Sequence, residues 1–424
     1  MDVFLGEWVN LLLRWFHMIV GIGWIGTSFY FMALDYGLDT RERKSEGVYG
    51  TAWEVHGGGF YHVEKFTVAP PHLPPHLHWF KWDAYLTWVS GFGLMIVQYY
   101  LHAKSYLIDP AVMPLDPWQA IAISIVSMLA GWALYEALCR SPLGRNTTVL
   151  AALVFVLILA ASVLYTKVFS ARGAFLHVGA FVGTIMAFNV FMVIIPNQRK
   201  MVAQLLAGQV PDARYGQIGK QRSTHNNYLT LPVLVMMVSP HYPFLSAHPQ
   251  SWMVVALIII AGALIRHYIN RVDAGDDLAR FDWAIPVAAF ALICAIWLTA
   301  PRAPAATGSV SDTEVLALTA KHCTTCHARK PTHESFKEAP KNVMLESTAD
   351  LRKYAPLIVT QTVHNKAMPL GNQTAMTDDE RASLLPRTPF PLRVAYRVFR
   401  FAYQRKAAAL HLWSPRSLRF AAAA

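Results

Sequence analysis

The residues best equipped for chemistry are Cys323-Thr324-Thr325-Cys326-His327. Two thiols three positions apart, followed at once by an imidazole, form the covalent haem attachment pattern: the sulfurs add to the haem vinyl groups and His327 supplies an axial nitrogen to the iron. Such a group moves electrons one at a time. The same spacing also suits a redox dithiol or half a zinc site, but the chain holds only 4 cysteines and no second pair completes a zinc tetrahedron. Cys139 and Cys294 lie in apolar stretches and read as small core residues, so no disulfide framework is implied.

A methionine sulfur on the other face of the iron raises its potential relative to a second histidine. Met368, in the proline-bounded run His364-Asn365-Lys366-Ala367-Met368-Pro369-Leu370, is the candidate for that second axial ligand; Met376 and Met344 are the alternatives.

These residues need a scaffold, and residues 1 to 300 read as membrane. A chain that is 54% hydrophobic and only 15% charged is too apolar for an ordinary soluble domain of this length. Eight stretches approach or exceed spanning length, near residues 8–33, 80–102, 118–139, 147–169, 174–195, 227–245, 252–272 and 283–300. Pro232, Pro240 and Pro243 interrupt the sixth. The first is too long for a signal peptide, lacks a small-residue cleavage site, and reads as a retained span.

Covalent haem is attached outside the bacterial inner membrane, so residues from about 312 onward are expected in the periplasm. With eight spans, the loops after spans 1, 3, 5 and 7 must then be cytoplasmic. They hold Arg41, Arg43, Lys44, Lys65, Arg140, Arg145, Arg199, Lys200, Arg214, Lys220, Arg222, Arg266, Arg271 and Arg280, against Lys104, Lys167 and Arg172 on the opposite side. That asymmetry obeys the positive-inside rule. The expected protein is all-α: a polytopic, multi-pass bundle of about eight spans over 1–300, a proline-rich linker over 301–311, a class I-like cytochrome c domain over 312–385 and an atypical basic tail over 386–424. Asp312 is the expected N-cap of the first cytochrome helix, and a second helix is expected over Thr348 to Val363.

Three further features carry a resemblance: the opening Leu13-Arg14-Trp15-Phe16-His17-Met18-Ile19-Val20-Gly21-Ile22-Gly23-Trp24-Ile25-Gly26, the loop Trp53-Glu54-Val55-His56-Gly57-Gly58-Gly59-Phe60-Tyr61-His62, and the fused cytochrome motif. Over residues 1 to about 384 the chain resembles the bacterial membrane-bound urate oxidases (urate hydroxylases) that contain a cytochrome c. The resemblance implies oxidation of urate to 5-hydroxyisourate in purine degradation. Electrons would pass through one covalent haem c to a respiratory acceptor such as a cytochrome c oxidase, without making hydrogen peroxide.

The chain departs from that pattern at its end. Leu385-Pro386 breaks the apolar helix that should close a cytochrome c, and residues 386–424 carry eight Lys or Arg with no acidic residue. Val394 to Leu412 reads either as a basic amphipathic helix on a lipid surface or as a change of reading frame. Without that tail the net charge falls from +11 to +3, so the basic balance does not argue for a nucleic-acid partner.

Urate is a planar monoanion at neutral pH, and its site needs a cation, in-plane hydrogen bonds and a base. Arg14, His17 and Gly21 share one face of the first span, and ionisable residues inside a membrane tend to face the bundle interior. Alternatively, Arg14 snorkels to the interface and His17 makes one interhelical hydrogen bond. The second candidate is the loop with His56, Gly57 to Gly59, His62, Glu54 and Glu64, where glycines allow close approach and imidazoles could act as acid, base or ligand. That loop is expected on the cytoplasmic side, across about 30 Å of hydrocarbon from the haem. A relay would bridge the gap: His17, His177, His225 and His267 could ligate an additional b-type haem. His72, His76 and His78, among prolines, could bind a metal or stiffen a linker. No Walker loop, dinucleotide fingerprint or nucleophile elbow occurs. The alternative function is a non-catalytic, membrane-anchored cytochrome c subunit that only transfers electrons.

Overall fold

Long apolar runs satisfy their backbone groups by coiling, and the computed structural model, which describes residues 3–41, 47–66, 68–248, 250–300, 310–333 and 336–385, is mostly helical. Two compact units emerge, one formed by residues 3–300 with 360–376 and the other by 310–359 with 377–385.

In the first unit the order is α1 (Val3–Tyr36), β1 (Val48–His56), β2 (Gly59–Phe66), α2 (Trp82–Met95), α3 (Ala103–Tyr106), α4 (Pro117–Arg140), α5 (Thr147–Val168), α6 (Ala171–Phe188), α7 (Ile195–Leu206), α8 (Ala213–Val238), α9 (Phe244–Ala247), α10 (Ser251–Asp273) and α11 (Ala284–Thr299). Local chemistry sets several boundaries. Pro117 at the first position and the Asp116 and Gln119 capping box start α4, and the Asn146 and Ser170 side chains cap α5 and α6. Helix α6 runs into α7 through a π turn, Asn189–Ile194, and α2 ends in another, Ile96–Tyr100.

Among the described residues, five helical stretches are long and apolar enough to cross a bilayer: Phe4–Tyr36, Pro117–Arg140, Thr147–Val168, Ala171–Leu206 and Ser251–Asp273. This set is compatible with a membrane protein. The other three expected spans are helical but fall short for visible reasons. The second winds into its π turn after Met95, the sixth draws half of α8 from the polar run Ala213 to Asn227, and the eighth has only 16 residues. Apolar side chains point outward from the bundle, Ile22, Phe290 and Ile296 being about two-thirds exposed. Such surface suits lipid contact.

The α6 helix is central. Phe175, Val178, Phe181, Val182 and Ile185 on it are buried in the main core with Tyr135, Ile158, Tyr165 and Ile259. Small residues admit close neighbours: a Cβ on Gly131 would fall 1.9 Å from the Phe181 ring, and one on Gly262 2.7 Å from Pro232 Cδ, the proline inside α8.

One element departs from the all-α expectation. The glycine-rich loop is an antiparallel β-hairpin, with Trp53 opposite His62 and His56 opposite Gly59. Gly57 (φ +58°) and Gly58 (φ +82°) make its turn, a left-handed backbone that two consecutive glycines adopt without a Cβ penalty. Tyr30 donates to Glu54 Oε2 at 2.6 Å, fixing the hairpin to the last third of α1.

In the second unit, α12 (Asp312–His322), α13 (Thr348–Ile358) and α14 (Asp378–Ala382) surround a small core of Cys323, Leu345 and Leu351 with Val315, Leu316 and Tyr354. The N-cap of α12 is Ser311, one residue before the expected Asp312, because its hydroxyl and Glu314 form a capping box. The expected second helix ends at Ile358 and continues as a π turn, Val359–His364. The basic tail 386–424 lies outside the described residues, as does the linker apart from Val310 and Ser311.

Candidate functional site

The attachment motif begins where α12 stops. The His327 amide bonds the Cys323 carbonyl at 2.8 Å and the Cys326 amide bonds it at 3.1 Å, so the two thiols and the imidazole share one tight turn. The Leu345 amide bonds the His327 carbonyl at 2.8 Å, and His327 Nδ1 donates to the Val343 carbonyl at 2.9 Å. A carbonyl can only accept, so the proton is fixed on Nδ1 and the Nε2 lone pair is left for a metal. Cysteine spacing, tautomer and the surrounding apolar core all fit a covalent haem. Burial pushes Cys323 up to about 11, helped by the neighbouring Cys326, and burial also raises Cys326.

Met368 belongs to the segment 360–376, which packs within the first unit, whereas Cys323, Cys326 and His327 belong to the second. That segment is held on α3. Gln373 Nε2 donates to Ser105 Oγ at 2.8 Å, and Gly371 (φ +59°) brings its Cα so close that a Cβ would meet the Ser105 carbonyl at 2.7 Å.

Glu380 on α14 closes the second unit by accepting from Lys321 Nζ at 2.8 Å, with His322 Nε2 at 3.2 Å. Those hydrogen bonds, the Lys321 one foremost, hold its carboxyl down to about 2, against an ordinary 4.5. A folded value below the unfolded one means stability that is present above pH 4.5 and lost as pH falls from there towards 2. Acid unfolding of the full-length protein, followed by circular dichroism, should lose this unit in that window, and Glu380→Gln should flatten the dependence.

The four sequence candidates for substrate chemistry are placed at two distant levels of α1. Arg14 Nε donates to Asn10 Oδ1 at 2.9 Å, and Gln98 Nε2 donates to the same oxygen at 3.0 Å. His17 Nδ1 lies 3.1 Å from the Thr87 carbonyl and 3.0 Å from Ser90 Oγ, seated where Gly91 leaves it room. The hairpin meets α1 at Tyr30, and sixteen helical residues separate Arg14 from Tyr30, about 24 Å at the α-helical rise. His56 and His62 are exposed on that hairpin, with the His62 ring 4.5 Å from the Trp53 ring. Arg14 and His17 are therefore not brought together with His56 and His62.

Of the histidines considered for a b-type haem, His177 has both nitrogens committed. Nδ1 donates to the Gly173 carbonyl at 2.7 Å, and Nε2 accepts from Ser124 Oγ at 2.7 Å. His225 Nδ1 is bonded to the Tyr135 hydroxyl and His267 Nδ1 to the Tyr228 hydroxyl. No group of three metal-ligating side chains occurs among the described residues, so His72, His76 and His78 are not gathered into a metal site.

Two buried networks escaped the sequence reading because their arginines looked like loop charges. Arg222 is 2% exposed inside α8, where Nη2 donates to Glu136 Oε2 at 2.8 Å beside Tyr135, His225, Asn189 and Asn226. Arg266 is also 2% exposed, inside α10, where Nε donates to Asn227 Oδ1 at 3.0 Å. Their position within helices, four residues before Asn226 and four before Asn270, was the available signal: recurring polar residues on one helical face. The excess of positive charge on the side assigned to the cytoplasm survives their removal.

In comparisons with known proteins, the family model described as urate oxidase N-terminal matches residues 3–300. No curated protein and no solved structure matches the chain.

Proposed function

The chain belongs to the urate oxidase N-terminal family, and we propose from that premise that it is an oxidoreductase of the bacterial inner membrane that hydroxylates urate and sends the electrons through a c-type haem to a respiratory acceptor. The observation that carries this reading is the family match in one chain with a Cys-x-x-Cys-His turn whose imidazole is fixed with Nε2 free for iron.

The step balances without hydrogen peroxide. A water oxygen bonds to C5 of the urate monoanion, and neutral 5-hydroxyisourate, one proton and two electrons are released. A base must take a proton, and two separate sets are proposed for it: His17 with Arg14 as the cation on α1, or His56 and His62 on the hairpin. Cys323 and Cys326 would hold the haem by thioether bonds, His327 Nε2 would ligate its iron, and Met368 is proposed as a further ligand. When bound, the haem supplies a one-electron acceptor, so the two electrons leave singly. Eight spans with a periplasmic cytochrome unit are the proposed topology; a b-type haem inside the bundle would be held by His17, His225 or His267, whereas both nitrogens of His177 are already bonded.

The test is a visible difference spectrum of the detergent-solubilised, oxidised protein under anaerobic conditions, on adding urate and then dithionite. Urate alone should raise the reduced c-type band. A band that dithionite raises and urate does not would overturn the reading in favour of a membrane-anchored electron-transfer subunit.

A further inference from the structure

A buried guanidinium normally has a carboxylate. Arg222 has Glu136, and Arg271 on α10 has Asp276 at 3.0 Å. Among the described residues no carboxylate lies within ion-pair distance of Arg266, although it is 2% exposed and sits in a stretch apolar enough to span a membrane. Its plane is backed by the Phe29 ring of α1, 4.0 Å away. Its Nε and the Nδ2 of Asn270 both donate to Asn227 Oδ1, each at 3.0 Å, which ties α10 to α8. Asn227 and Asn270 are fully buried. After those bonds, three polar atoms of this one network have no hydrogen-bond partner: Arg266 Nη2, Asn227 Nδ2 and Asn270 Oδ1.

Left as it stands, this arrangement holds a positive charge with no carboxylate in contact, Asp273 acting on it only from beyond ion-pair distance, together with two idle donors and one idle acceptor, each of them costly. We propose that the missing partner is the substrate, and that Arg266, Asn227 and Asn270 form the binding site for the planar oxopurine monoanion. The inference rests on the urate reading above and gives that activity a place. Arg266 Nη2 and Asn227 Nδ2 match the carbonyl oxygens and delocalised negative charge of the ring system, and Asn270 Oδ1 matches a ring N–H. The anion neutralises the buried cation, so charge and hydrogen-bond demand are met together. Phe29 precedes Tyr30, the anchor of the hairpin that carries His56 and His62, and Tyr228, beside Asn227, bonds His267 Nδ1 at 2.8 Å. One imidazole, that of His267, is thus tied to the residue next to Asn227.

The test is equilibrium binding of radiolabelled urate to full-length, dithionite-reduced protein in detergent, where turnover is blocked. Wild type should bind urate in preference to uncharged hypoxanthine. Arg266→Gln should weaken binding about 10- to 100-fold, the loss expected for a hydrogen bond to a charged group. Asn270→Asp puts a carboxylate beside the guanidinium in exchange for the hydrogen bond to Asn227 Oδ1; in a variant whose circular dichroism matches wild type it should weaken urate binding by a similar factor. If wild type binds urate and Asn270→Asp binds it equally well, the site is wrong and the urate reading stands. If wild type binds no urate, the reading fails and the site with it. Should Arg266→Gln not fold, the Asn270→Asp result decides alone.

Discussion

The double variant Cys323→Ala/Cys326→Ala is expected to carry no pigment on a denaturing gel and to lose urate-driven reduction of a respiratory acceptor to background, while still binding urate. The two sulfurs occupy one turn, and both are needed for the thioether attachment that holds the group once the protein is unfolded. The His327→Ala variant separates attachment from ligation. It retains both thiols and so keeps covalent pigment, but it loses the nitrogen whose tautomer the Val343 carbonyl fixes. Its reduced band should shift and its potential should change, read by a spectroelectrochemical titration. Covalent pigment in the double variant would sink the assignment of the motif, and an unaltered potential in His327→Ala would sink the axial role.

Glu136→Leu should be the most damaging single change in the bundle. Glu136 accepts from Arg222 Nη2 at 2.8 Å and from Arg140 Nε at 2.6 Å, and Arg222 Nε and Nη1 already lack partners. Removing the carboxylate strands a guanidinium that is 2% exposed. Breaking one side of a buried pair costs about 3–5 kcal/mol, whereas replacing both partners by apolar residues of similar volume is often neutral. Thermal unfolding in detergent should therefore show a large loss for Glu136→Leu and recovery of most of it in Glu136→Leu/Arg222→Met. A double variant as unstable as the single one would mean that the polar network around Tyr135, His225 and Asn189, not the charge pair, holds α4 to α8.

That Cys323, Cys326 and His327 share one turn was legible in the sequence because their spacing is a local property. The apolar helices were legible for the same reason: composition over a spanning length is a local property. The hairpin was half legible. Its glycines signalled a special backbone, and two positive φ values in a row, flanked by Trp53, Val55, Phe60 and Tyr61 on extended strands, show that the need was a turn. The sequence suggested one face for Arg14 and His17, which α1 provides, but their partners Thr87 and Ser90 come from α2 and Gln98 from the π turn that follows it.

What the sequence by itself determined, then, is that this chain carries a Cys-x-x-Cys-His motif behind a set of helices apolar enough for a membrane. Tertiary structure alone decided which charges are buried. Arg222 meets Glu136 across 86 positions and Arg266 meets Asn227 across 39. A charge beside an apolar run reads as a loop residue until the fold shows whether water, a carboxylate or a vacant polar network surrounds it. The physical reason is that the free energy of a charge is set by what lies within a few ångströms of it in space, and that neighbourhood is assembled by helix packing between segments far apart in the chain.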